Sequence, residues 1–167
     1  RMPEPVPNYL KRTALTEKLT SVITPGSALL LEAPSGYGKT HALSAAFRET
    51  SRSPDTLRWL ALTGQENDAG RLLALLEIAL TPPGATSRPS GQQKASSNTD
   101  ALALLLSDAH WSDSDRDSVL VIDNVGTVAN PAAIALLQQL VENIPSGLAL
   151  VMVSRKPLPF ETHTFEL

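Results

Sequence analysis

The octapeptide Ala33-Pro34-Ser35-Gly36-Tyr37-Gly38-Lys39-Thr40 constrains this chain more than any other feature. An apolar run over residues 28–32 leads into it. A helical pattern with Leu43, Ala46 and Phe47 on one face follows from Lys39. A strand, a glycine-bearing loop and a helix in that order form an anion cradle. Gly36 and Gly38 lack a Cβ, so the backbone can take positive φ and approach an oxygen closely. Successive N–H groups then converge as a nest, and the start of the helix adds free N–H groups and the positive end of its dipole. The pattern fits a Walker A phosphate loop with Ala33 in place of the first glycine. In that reading Ala33, Pro34, Ser35, Gly36, Tyr37 and Gly38 wrap the phosphates of ATP or ADP. Lys39 reaches the β- and γ-phosphates, Thr40 offers its hydroxyl to Mg²⁺, and His41 follows beside the nucleotide in the first helical turn. The bland alternative is a glycine-rich turn with an exposed lysine, and the flanking strand and helix argue against it.

A second signal supports the first. Val119-Leu120-Val121-Ile122-Asp123 is an apolar strand ending in one carboxylate, the form of a Walker B segment, so Asp123 is the expected second Mg²⁺ partner. Asn124 follows where many ATPases carry another acid. An amide cannot act as a base, so slow hydrolysis is expected. Replacing it by Asp should raise the rate at unchanged affinity if the side chain points at the γ-phosphate. Ser154-Arg155 ends another apolar run, at the sheet edge where open α/β folds bind ligands. Lys39, Asp123 and Arg155 are therefore the candidate catalytic residues, against a surface role for Arg155.

The rest of the chain alternates helical and strand patterns. Helices are expected at 13–23, 39–48, 71–80, 101–109 and 131–143. Strands are expected at 28–32, 57–62, 118–123 and 148–153, with a fifth within 162–167. Strands that read as continuous apolar runs belong to a sheet covered on both faces, which gives a three-layer α/β domain with a mostly parallel sheet. Residues 81–99 are rich in Pro, Gly, Ser, Gln and Thr and read as a long flexible insertion within one domain over 1–167.

Composition narrows the function further. The 167 residues are 42% apolar, enough for a core, and contain no cysteine, which removes disulfides and thiolate chemistry. A net charge of −3 gives no broad nucleic-acid face. No apolar run approaches membrane-spanning length, and the proline-rich start has no signal-peptide form, so a cytoplasmic protein without a membrane partner is expected. Asp113, Asp115 and Asp117 alternate like the start of a calcium loop but lack its glycine and its final glutamate. His41, His110 and His163 share no metal-ligand spacing.

Taken together, Ala33 to Thr40, Trp59-Leu60-Ala61-Leu62, Leu120-Val121-Ile122-Asp123-Asn124 with Asn130-Pro131, and Val151-Met152-Val153-Ser154-Arg155 resemble the nucleotide domain of maltose-regulon-activator-like regulators. These are the large ATP-binding LuxR-type transcription regulators of the STAND class. Arg12, Leu15 and Leu19 are similar to the short element before the first strand in that family. The likeness covers most of residues 6–156. It implies a P-loop NTPase of the ASCE/AAA-like division with strand order 5-1-4-3-2. It implies an ATP/ADP switch with weak ATPase activity at most, in which Arg155 senses the γ-phosphate and residues 6–12, including Arg12, approach the adenine. It further implies an N-terminal module of a longer protein that self-associates through its other parts, the module itself being monomeric, with DNA bound only by domains outside this chain. The alternatives are a stand-alone P-loop ATPase or small-molecule kinase, and a binding module that does not hydrolyse.

Overall fold

Alternation along each apolar strand decides the architecture. The computed structural model describes residues 13–32, 34, 36, 38–49, 56–81, 96–107 and 118–166. Five strands form one parallel sheet: β1 (Ala28–Glu32), β2 (Leu57–Ala61), β3 (Ser118–Asp123), β4 (Leu148–Ser154) and β5 (His163–Glu166), in the spatial order β2-β3-β4-β1-β5. Among the described residues five helices accompany them: α1 (Thr13–Val22), α2 (Lys39–Glu49), α3 (Ala69–Leu80), α4 (Asn98–Leu106) and α5 (Pro131–Glu142). A short 3-10 turn, Val125–Thr127, follows β3.

Odd and even strand residues face different layers. Leu29, Leu31, Val119, Val121, Val151 and Val153 pack with Leu19 and Ile23 near α1 and with Ala42, Leu43, Ala46 and Phe47 of α2. Leu30, Leu120, Ile122, Leu150 and Met152 pack on the opposite face with Leu72 and Leu76 of α3, Leu102 of α4 and Leu136 and Leu140 of α5. Every residue of β4 is buried, as its central place in the sheet requires. Trp59 joins the first of these clusters.

Helix ends follow from local chemistry. Asp68 caps α3 by accepting from Arg71 N at 3.0 Å, and Asn130 caps α5 by accepting from Ala132 N at 2.9 Å, with Pro131 in the first turn. At the other end of α3, Arg58 of β2 donates to the carbonyls of Ala79 and Thr81, placing a cation at the negative end of that helix.

Element boundaries differ from the sequence reading by a residue or two in several places, and most at α4. The insertion expected over 81–99 ends earlier, because Ser97 accepts from Asp100 N at 3.1 Å and α4 starts at Asn98. That helix also stops at Leu106 rather than at 109. Residues 82–95 of the expected insertion lie outside the described residues.

Candidate functional site

The C-terminal ends of β2, β3 and β4 meet the loop that follows β1 and the N-terminus of α2 around a cavity of about 460 Å³. Gly36, Gly38, Lys39, Thr40, His41, Asp123, Asn124, Ser154 and Arg155 line it, with Ala61, Leu62 and Val153. Four separate stretches of sequence, 36–41, 61–62, 123–124 and 153–155, thus converge on one sheet edge. They do so because β4 lies between β1 and β3 and carries Arg155 to the same end. Arg12, Ala33, Ser35 and Tyr37 lie outside the described residues.

The loop is built as an anion cradle would be. Gly36 and Gly38 adopt φ of 87° and 71°, while a Cβ placed on either would meet nothing within 4 Å. Backbone conformation, not space, is what demands glycine there. The helix begins at once, with Ala42 N donating to Gly38 O at 2.8 Å. Pro34 is exposed, and its carbonyl accepts from Lys39 Nζ at 2.9 Å.

Lys39 is 8% exposed, a rare condition for a lysine. Burial holds its ammonium below the ordinary value of 10.5, the Arg155 guanidinium adds to that lowering, and the Asp123 carboxylate opposes it. Two cations therefore face one carboxylate in a half-enclosed site, an arrangement with affinity for further negative charge.

Thr40 Oγ1 donates to Asp123 Oδ2 at 2.9 Å, across 83 residues of chain. A hydroxyl and a carboxylate are hard oxygen donors. They fit Mg²⁺, which takes one or two protein oxygens and fills the remaining positions with water and phosphate oxygens. Among the described residues no cluster of three or more His, Asp or Glu could hold a metal ion.

Asn124 makes a side-chain bond that the sequence reading did not include. Its side chain lines the cavity, but Nδ2 donates to the Leu62 carbonyl at 2.9 Å. The side chain is tied to the residue that follows β2. Sequence reading also missed Gly126. A Cβ at that position would lie 2.8 Å from Ser154 Oγ, so the turn after β3 packs directly against the end of β4. Ser154 Oγ in turn accepts from Lys156 N and donates to Lys156 O, which shapes the turn that bears Arg155. The available signal was the string Asp123-Asn124-Val125-Gly126, since Asn and Gly are the residues that tolerate tight turns.

No family model matches the chain. It is 26% identical over 158 residues to the HTH-type transcriptional regulator MalT of Klebsiella pneumoniae subsp. pneumoniae and 27% identical to that of Cronobacter sakazakii, in both cases over 89% of this chain. It spans about 17% of the length of those regulators. Among solved structures it is similar to a chain of Drosophila ORC bound to DNA, with a TM-score of 0.61 and 20% identity over 95% of this chain and 43% of that one. It is also similar to the Walker-type ATPase PABY2304 of Pyrococcus abyssi, with a TM-score of 0.52 and 13% identity over 88% and 45%. The fold is a three-layer, mostly parallel-sheet P-loop-like NTPase fold. Among the described residues no helix is long and apolar enough to cross a membrane.

Proposed function

We propose that this chain is a P-loop ATPase domain that binds Mg²⁺-ATP and turns it over slowly. The observation that carries the reading is the approach of Thr40 and Asp123 to 2.9 Å beside the buried Lys39, at the mouth of a loop whose two glycines take positive φ. Residues 33–38 would hold the phosphates through backbone N–H groups, and Lys39 would neutralise the β- and γ-phosphates. Thr40 and Asp123 would hold Mg²⁺, which supplies charge neutralisation when bound. His41 lines the same cavity next to Thr40, and Arg12 is proposed to approach the adenine. Arg155, exposed at the cavity wall, would meet the terminal phosphate. The order of the five strands, with β4 between β1 and β3, supports assignment to the ASCE/AAA-like division.

Slow turnover follows from what surrounds the phosphates. Fast hydrolysis needs an oriented water and a group to steer it. The residue after Asp123 is an amide whose donor is already engaged. A second reading is favoured by the likeness to MalT over 89% of the chain. Here the domain is the ATP/ADP switch of a signal-responsive, cytoplasmic transcription regulator, and self-association and DNA binding belong to other parts of a longer protein. Single-turnover hydrolysis tests both readings together. We expect a rate well below about 1 s⁻¹, the lower end of ordinary enzymes. A rate at or above that value would remove the switch reading and contradict slow turnover.

A further inference from the structure

Asn124 is held in place more firmly than a residue that merely follows a strand. It is the one non-glycine with positive φ among the described residues, at φ 63° and ψ 33°. This left-handed region is costly for most side chains and milder for Asn. Its Nδ2 donates to Leu62 O at 2.9 Å, while Leu62 N donates to Asp123 O at 3.0 Å. The ends of β2 and β3 are thereby closed into a ring that includes the backbone of Asp123. On the other side, the Asn124 carbonyl accepts from Thr127 N at 3.1 Å and from Thr127 Oγ1 at 3.0 Å. Backbone carbonyl and side-chain amide are both anchored, one to the turn and one to the neighbouring strand.

We propose that Asn124 is a positioning residue whose side chain straps β2 to β3 and so fixes the Asp123 carboxylate opposite the Thr40 hydroxyl. The proposal rests on the reading of Thr40 and Asp123 as the Mg²⁺ site of a bound nucleotide. It goes beyond that reading by giving the position after Asp123 a task unrelated to water activation. An Asp here keeps the volume and tolerates the backbone conformation, but sets an oxygen against the Leu62 carbonyl where a donor stood. A Gly here relieves the backbone and removes the strap.

The test is ATP affinity by calorimetry, with Mg²⁺ and with a chelator, for the intact chain and for Asn124→Gly, Asn124→Asp and Asn67→Ala. Asn67 is a comparison because its Oδ1 accepts from Ala129 N and Asn130 N, joining the same two loops without bonding to Asp123 or Asn124. Loss of one net hydrogen bond should cut the Mg²⁺-dependent gain in affinity about fivefold in both Asn124 variants. Chelated affinity should stay within about twofold of the parent, and Asn67→Ala should lower the melting temperature yet keep the Mg²⁺ gain. If Asn124→Gly does not fold, Asn124→Asp carries the test. A full Mg²⁺ gain in the Asn124 variants, an equal loss in Asn67→Ala, or faster single-turnover hydrolysis by Asn124→Asp would overturn the strap. A parent chain with no Mg²⁺ gain at all would instead remove the site reading, and the strap with it.

Discussion

Lys39 carries the clearest tension in the molecule at the scale of single residues. Its ammonium is buried and bonded to the Pro34 carbonyl, with Arg155 repelling it and Asp123 attracting it. The folded state disfavours its charged form, so the unfolded chain binds the extra proton in a window just below the ordinary value of 10.5. Stability attributable to this group therefore rises as pH climbs through that window. Lys39→Met has no such dependence. Chemical denaturation of both proteins without nucleotide should show the stability of the variant, relative to the parent, falling as pH rises toward 10.5. A difference that is flat or grows with pH would contradict the burial argument. That Lys39, Thr40 and Asp123 would gather at one cavity was legible in the sequence, because each follows an apolar strand or opens a helix in a recognisable local pattern. The engagement of Asn124 was not, since its partner Leu62 lies 62 residues away and offers only a backbone carbonyl.

Among the elements, the strand ends matter more than the strands. The turn Val125–Thr127 leans on β4 through Gly126, whose missing side chain leaves room for Ser154 Oγ. Gly126→Ala would bring its Cβ to 2.8 Å from that oxygen, which is buried at the base of the Arg155 turn. Overpacking of this kind costs about 1–3 kcal/mol. Urea unfolding should register that loss, and an unchanged midpoint would mean that the two turns are not in tight contact. Strands and helices themselves were largely readable, because apolar runs and 3.6-residue stripes are strong local signals. The start of α4 was not, because Asn98 and Thr99 look like loop residues until Ser97 is seen capping them. The contact of Gly126 with Ser154 joins two strands' ends and leaves no periodic trace in the sequence.

The whole molecule is organised so that β4 enters between β1 and β3, and one sheet edge collects the phosphate loop, the acidic strand end and Arg155. That placement was implied by the family resemblance, not by periodicity, which cannot order strands. Two faces of apolar side chains lock the sheet and make the edge a rigid frame. The central claim is that this frame binds nucleotide through Lys39. Isothermal titration of the intact chain with Mg²⁺-ATP, beside Lys39→Ala, tests it most directly. A hydrogen bond to a charged group contributes about 1.5–3 kcal/mol, so the account predicts binding by the parent and a loss of about tenfold or more in the variant. Equal affinity in the two proteins, with the variant still folded, would contradict it.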